Sequence, residues 1–281
     1  MSAGSKIGAI LTRALVFFRD SNLFLAVGSS AITLATIILT KNPFSWTLIA
    51  LPFFACLLIY SINRITDRDE DAVSLPERIW FPHRLRIMLL VISLVFYVFV
   101  LLIVLQKNLL AFAIGLAPFV IAILYSVFRL KRVFLMKNVS IAAAFCANVL
   151  IVPVYYENWS GTWEIVTLFF FLVMLINTIL FDIKDIKGDS VFGIQTLPVL
   201  LGVPATKSFC YLLLTAVFIV VFPQISLNRE SVLLIPCACT IALSTIYAPE
   251  CENHPWWYFG ILVDGELWIL LLSSLFVMIF L

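Results

Sequence analysis

Long apolar runs repeat along almost the whole chain and constrain its fold more than any other feature. Each run approaches the roughly 20 apolar residues that a helix needs to cross a bilayer, whereas a spanning strand needs only about 10. Lipid offers no hydrogen-bond partners, so the backbone of such runs must bond within helices. We therefore predict an all-α, polytopic membrane protein with about nine transmembrane helices in one bundle. The predicted spans are 22–40, 44–62, 86–105, 109–128, 139–156, 164–181, 208–224, 231–248 and 258–280.

The basic residues are distributed unevenly between the two sides of this predicted bundle. With nine spans, the N-terminus and the loops after spans two, four, six and eight share one side. Fifteen of the eighteen Lys and Arg residues lie there, and only Lys41, Lys107 and Arg229 lie opposite. The positive-inside rule therefore predicts a cytoplasmic N-terminus and an external C-terminus.

The first 21 residues precede the spans and mix basic with apolar side chains. Lys6, Arg13 and Arg19 interrupt the apolar positions too often for the continuous core of a cleaved signal peptide. We expect residues 1–21 to form an amphipathic helix at the membrane interface.

A first cluster of polar side chains follows the second span. Asn63, Asp67 and Asp71 are spaced i, i+4 and i+8, which places them on one face of a helix about two turns long. This cluster lies on the predicted cytoplasmic side, and Arg68 lies within it.

A second cluster follows the sixth span on the same predicted side. Asp182, Asp185 and Asp189 are spaced i, i+3 and i+7, which again gives one carboxylate face. Lys184 and Lys187 flank these acids closely enough to contact a bound anion.

Either cluster alone could be a set of solvated acids that pair with nearby Arg and Lys residues. Two clusters at span ends, on the same side and four spans apart, favour one shared site, so we treat residues 1–281 as a single domain. Oxygen-only ligands indicate a hard cation, and Mg²⁺ is usually held by carboxylates together with substrate phosphates. Such a site could hold a diphosphate whose remaining charge is offset by Arg68, Lys131, Arg132, Lys184 and Lys187. The metal and basic groups would then stabilise the charge that builds on the leaving diphosphate.

These motifs resemble those of the UbiA-type intramembrane prenyltransferase superfamily. Asn63, Asp67 and Asp71 match its N-x-x-x-D-x-x-x-D motif, Asp185 and Asp189 match its D-x-x-x-D motif, and Asp182 is an additional acid one turn earlier. Tyr125-Ser126 followed by Lys131-Arg132 is similar to a loop element of the family, as is the segment from Gly193 to Gly202.

The resemblance implies a nine-helix bundle around a central cavity, a prenyl diphosphate donor and two or more Mg²⁺ ions bound with it. It implies that Asp67, Asp71, Asp185 and Asp189 are catalytic and, with Asn63 and Asp182, hold the metal. It adds Tyr125 to the residues expected at the diphosphate.

The acceptor is left open by the sequence. The stretch from Ala72 to Arg78 departs from the pattern of the 4-hydroxybenzoate branch, and Ser190 replaces an arginine that commonly follows the last aspartate. The second motif is closer to branches that prenylate homogentisate, chlorophyllide, naphthoate or glycerol phosphate lipids. We expect a lipid-quinone-type aromatic compound or another hydrophobic acceptor in the membrane.

Two other functions compete with prenyl transfer. A terpene cyclase of the same superfamily would use the same metal site but capture the carbocation with the substrate's own double bonds. A transporter could use the aspartates as a cation pathway. The transporter is less favoured, because both clusters begin where spans end and no matching pair of broken helices is evident.

Overall fold

The computed structural model describes residues 17–18, 20–66, 82–127, 133–159, 162–249 and 257–280. Within these ranges the chain forms nine α-helices and no β-strand. They are α1 (Leu23–Leu39), α2 (Trp46–Thr66), α3 (His83–Lys107), α4 (Leu109–Val127), α5 (Met136–Tyr156), α6 (Thr162–Phe192), α7 (Leu197–Leu227), α8 (Leu234–Ile246) and α9 (Gly265–Phe280). A short 3₁₀ helix (Arg229–Leu233) precedes α8, and a π-helical turn (Tyr258–Val263) precedes α9.

Each of the nine predicted spans corresponds to one of these helices, so the prediction of a helical membrane bundle is confirmed. Seven helical segments of the described chain are long and apolar enough to cross a membrane, while α1 and α4 are apolar but shorter. The interfacial helix predicted over residues 1–21 lies outside the described residues apart from 17–18 and 20–21, and it stays a prediction.

The helices α6 and α7 differ most from their predicted spans. The span predicted to stop at residue 181 continues as α6 to Phe192, so the whole second acidic cluster is helical. Gly193 ends the helix with a φ of 70°, and the amide of Ile194 donates to the carbonyl of Asp189 at 2.8 Å. The next helix starts at Leu197, well before the predicted 208, and is kinked at Gly202, where φ is 78°.

The core of the bundle forms around α1 and α5. One apolar cluster joins α1 to helices α5 to α9, and a second joins α1 and α5 to helices α2 to α4. The helix α1 crosses α9 closely at Gly28, where an added Cβ would lie 2.8 Å from Cβ of Leu267. By contrast, α3 exposes large apolar side chains such as Val95 and Phe99, a surface suited to lipid.

The joints after α1, α3, α5 and α7 meet at one end of the bundle, which we call the far end (residues 40–45, 108, 157–159 and 228–230). Polar contacts connect these joints across the far end. They are the ion pair Lys41–Glu230 (3.3 Å) and the hydrogen bonds from Asn158 to Asn42 (3.1 Å), from Asn108 to Glu157 (3.4 Å), from Asn228 to the carbonyl of Leu39 (3.3 Å) and from the hydroxyl of Tyr156 to the carbonyl of Pro43. The opposite end, which we call the motif end, carries the ends of α2, α4, α6 and α8.

Candidate active site

A cavity of about 270 Å³ opens within the bundle between the two apolar clusters. Its walls come from α1, α2, α4, α5 and α6, with Asp264 contributed from the residue before α9. Most of the lining is apolar or aromatic, and the aromatic rings belong to Phe24, Tyr60, Tyr125, Phe145 and Phe181. The cavity therefore combines apolar and aromatic surface with polar and charged side chains, as small-molecule sites commonly do.

Five of the residues predicted for the site line this cavity. They are Asn63 from the last turns of α2, Tyr125 near the end of α4, and Asp182, Lys184 and Asp185 from α6. The helical geometry explains why they converge: α2, α4 and α6 all end at the motif end, so their last turns face a common space.

The remaining predicted residues fall into two groups. Asp189 is buried one turn beyond Asp185, while the side chain of Lys187 is exposed and does not line the cavity. Asp67, Arg68, Asp71, Lys131 and Arg132 lie outside the described residues. Asp67 directly follows Thr66, the last residue of α2, so the first motif continues from a helix that already places Asn63 at the cavity.

An unpredicted lysine connects the acids of α6. The Nζ atom of Lys137 lies 2.9 Å from Oδ1 of Asp182, and it lies 3.1 Å and 2.9 Å from the two carboxylate oxygens of Asp189. The side chains are shielded from solvent, since Lys137 is 13% exposed and Asp182 is 1% exposed. One ammonium group thus pairs with two carboxylates that are two turns apart.

The neighbour of Lys137 completes the contacts of Asp182. Nδ2 of Asn138 donates to Oδ2 of Asp182 at 2.7 Å, so α5 gives Asp182 a hydrogen bond at Oδ2 and an ion-pair contact at Oδ1. Asp185, which is partly exposed, is the acid of this cluster that faces the cavity without contacting Lys137.

Lys184 lies on the cavity wall between aromatic rings. Its Nζ atom is 4.8 Å from the ring centre of Phe181, 5.7 Å from that of Phe259 and 3.7 Å from Oδ1 of Asp185. Aromatic faces attract cations, so these rings hold the ammonium group at the cavity despite its burial.

A second set of polar contacts lies farther from the motif end along α5 and α6. Nδ2 of Asn177, a cavity residue, donates to Oε1 of Glu266 at 2.9 Å and to the carbonyl of Val263 at 3.3 Å. Nδ2 of Asn148 donates to Oγ of Ser29 at 3.0 Å, again from the cavity wall. These bonds satisfy polar groups that would otherwise be costly in an apolar interior.

The donor atoms of the site suit a hard divalent cation. Asn63 and Asp185 bring an amide and a carboxylate to the same cavity from two different helices. Within the described ranges no three acidic, histidine or cysteine side chains form a metal site by themselves. A magnesium site here would accordingly be completed by Asp67 and Asp71 and by substrate phosphates, which is the usual way in which proteins hold this ion.

Sequence reasoning missed Lys137 and Asn138 as site residues. Lys137 counted only as one basic residue of the motif end, and nothing in its local spacing linked it to acids about 50 positions later. The available signal was its place directly before the fifth predicted span, at the same membrane boundary as both acidic clusters. A cation in the first turn of a helix is disfavoured by about 0.3–1 kcal/mol. A lysine at such a position therefore indicates a nearby acidic partner.

Several solved structures share this fold. A UbiA homolog from Archaeoglobus fulgidus bound to GPP and Mg²⁺ matches with a TM-score of 0.66 and 15% identity over 93% of this chain and 98% of that chain. The apo structure of a UbiA homolog from Aeropyrum pernix K1 matches with a TM-score of 0.64 and 16% identity over 90% and 95% of the two chains. A structure of digeranylgeranylglyceryl phosphate synthase matches with a TM-score of 0.55 and 16% identity over 94% and 96%.

A comparison with curated protein sequences gave no match. The sequence profile described as the UbiA prenyltransferase family matches residues 23–251, which covers most of the chain and reaches from α1 past the end of α8. This chain is therefore an integral, multi-pass membrane protein that belongs to the UbiA prenyltransferase family.

Proposed function

We propose that this chain catalyses the Mg²⁺-dependent transfer of an isoprenoid group from a prenyl diphosphate to a hydrophobic acceptor within the membrane. The observation that carries this proposal is the arrangement of the cavity. Asn63 and Asp185 lie at one cavity inside a membrane bundle, and the rest of that cavity is largely apolar and aromatic. A prenyl diphosphate matches this arrangement, because it joins a charged diphosphate head to a hydrocarbon chain.

In this proposal Asn63, Asp67, Asp71 and Asp185 hold the metal at the motif end. Asp182 and Asp189 complete the acidic cluster on α6. When bound, magnesium supplies positive charge to the departing diphosphate. The transfer then needs no covalent intermediate with the enzyme. The diphosphate would lie within reach of six further side chains, those of Arg68, Tyr125, Lys131, Arg132, Lys184 and Lys187.

Lys184 is the described member of this set whose charge already faces the cavity. The rings of Phe181 and Phe259 and the carboxylate of Asp185 fix its ammonium group in place. Because the group is held before substrate arrives, little reorganisation is needed when negative charge develops on the leaving group.

The aromatic side chains of the cavity wall have a separate role in this proposal. An allylic carbocation reacts readily with water, so the cavity must stay dry while the carbon–oxygen bond breaks. Tyr60, Phe145 and Phe181 provide apolar surface for this purpose and ring faces that stabilise positive charge.

The proposed acceptor is a lipid-quinone-type aromatic compound or a glycerol phosphate lipid. The similar solved structures include a digeranylgeranylglyceryl phosphate synthase and homologs bound to GPP or DMAPP, which supports isoprenoid donors and leaves several acceptor classes to be compared. The basic residues gathered at the motif end support a cytoplasmic site and N-terminus, with the C-terminus opposite.

The test is a transfer assay with purified protein in lipid nanodiscs. Labelled prenyl diphosphates of several lengths are incubated with aromatic and glycerol phosphate acceptors, in Mg²⁺ or in EDTA. We expect Mg²⁺-dependent transfer to one acceptor class. Cyclised hydrocarbon formed from the donor alone would instead identify a terpene cyclase, and the absence of metal-dependent diphosphate release from any donor would refute prenyl transfer.

A further inference from the structure

The cation that pairs with the second acidic cluster is part of the protein itself. Lys137 Nζ contacts Asp182 at 2.9 Å and both oxygens of Asp189 at 3.1 Å and 2.9 Å. The two acids are buried, at 1% and 5% exposure, so water does little to screen their repulsion. Carboxylates in such a place require a cation, and the ammonium group of Lys137 provides it.

The position of Lys137 is unfavourable in other respects. It is the second residue of α5, where unpaired backbone N–H groups give the helix terminus a partial positive charge. It is also largely buried, which disfavours an ammonium group without partners. The lysine and the two acids therefore stabilise one another, and removal of the lysine leaves a space lined by carboxylate oxygens.

We propose that the ammonium group of Lys137 takes the place of a divalent ion between Asp182 and Asp189. This assignment rests on the proposed function. Metal binding is then confined to Asp185 and the first motif, and Asp182 and Asp189 act as positioning residues. Their role is to fix the ammonium group of Lys137 at the cavity wall.

Two features of the site support this division of the acids. Both oxygens of Asp182 already lie against groups of α5, because Nζ of Lys137 is 2.9 Å from Oδ1 and Nδ2 of Asn138 donates to Oδ2 at 2.7 Å. Asp185 does not contact Lys137 and lines the cavity that Asn63 also lines. The three acids share one helix but have different partners.

The experiment counts metal ions directly. Full-length protein in detergent is titrated with Mn²⁺, alone and with inorganic diphosphate, and free Mn²⁺ is measured by electron paramagnetic resonance. We expect K137M to bind one Mn²⁺ ion more per chain than wild type, because the vacated carboxylates accept a metal. K137R should bind the same number as wild type. The matched control is K207M, since Lys207 donates to the carbonyl of Ala248 rather than to a carboxylate.

Thermal unfolding of the same proteins gives a readout that does not depend on catalysis. K137M in EDTA should unfold at a lower temperature than wild type, and Mn²⁺ should raise its unfolding temperature by more than it raises that of wild type. A lysine that served only packing would lower the temperature in EDTA without this larger response to metal.

A second variant decides the question if K137M does not fold. D189N keeps Lys137 and removes one carboxylate charge, so the wild-type number of Mn²⁺ ions should be retained. Loss of an ion in D189N, or equal counts in K137M and wild type, would overturn the assignment of Lys137 alone. Failure of wild type to bind any Mn²⁺, with or without diphosphate, would instead overturn the metal site of the proposed function.

Discussion

The contact between Asn177 and Glu266 offers a sharp test of how the deep cavity wall is held. Glu266 is fully buried, its Oε1 accepts from Asn177 Nδ2 at 2.9 Å, and its Oε2 accepts no hydrogen bond from the described residues. Asn177→Leu, a change of similar volume, removes this bond and the 3.3 Å bond to the carbonyl of Val263. Glu266 would then have no donor at either oxygen among the residues that the structure describes.

The expected cost follows from the group left unsatisfied. A buried acceptor that loses its partner costs about 1–3 kcal/mol, and a charged one costs more. At roughly 2–4 °C per kcal/mol for a chain of this order of size, Asn177→Leu should lower the unfolding temperature by about 2–12 °C. Glu266→Met in the same chain removes the orphaned acceptor, so the double variant should be more stable than the sum of the single changes by about 0.5–3 kcal/mol.

Buried cysteines allow the thermal unfolding of these variants to be followed with a thiol-reactive dye. Cys56, Cys146, Cys210 and Cys237 are free and buried, so a thiol-reactive dye reports the loss of packing on heating. The background signal comes from exposed Cys239 and from Cys251, which lies outside the described residues. The control is Thr215→Val on the exposed surface of α7, which should change the free energy of unfolding by no more than about 0.5 kcal/mol. A single variant as stable as this control, or strict additivity in the double variant, would refute the reasoning.

Three further outcomes test the site and the packing around it. Asp185→Asn should reduce transfer at least about 100-fold with an unchanged unfolding temperature. EDTA should abolish wild-type activity until Mg²⁺ is restored. Full activity in either experiment would refute the proposed metal site. Gly28→Ala brings a Cβ to 2.8 Å from Cβ of Leu267, so it should destabilise the protein by about 1–3 kcal/mol in thermal unfolding. Ala144→Phe fills part of the cavity and should lower turnover of the longest donors most, and an unchanged ranking of donors would show that the chain does not occupy this wall.

The helices could be predicted because membrane length and hydropathy fix them locally. The C-terminal end of α6 could not, since the charged residues after position 181 indicated only where the membrane span ends. In the structure the helix continues to Phe192 through Gly188, Lys137 pairs with two of its acids, and the helix ends at Gly193, where φ is 70°. The same reasoning applies to α7, whose first turns precede a kink at Gly202 that sequence spacing does not reveal.

The candidate site was predictable only where its residues repeat at helical spacing. The intervals among Asp182, Asp185 and Asp189 are enough to place the three acids on one helical face. Contacts between helices carry no such local pattern: Asn177 and Glu266 are 89 positions apart, and Lys137 and Asp189 are 52 apart. Which helices pack together is a property of the folded bundle, so these partners could not be paired from local spacing.

The polar contacts that connect the joints of the far end bear on whether a solute could cross the membrane through this bundle. A carrier that opened the bundle by separating the joints of the far end would have to break the Lys41–Glu230 pair and the Asn42–Asn158 bond. An enzyme that admits the phosphorylated head and releases inorganic diphosphate at the motif end never needs to disturb them. Under the proposed function, a hydrophobic product that left sideways into the leaflet would change the composition of the bilayer without moving any solute past these contacts.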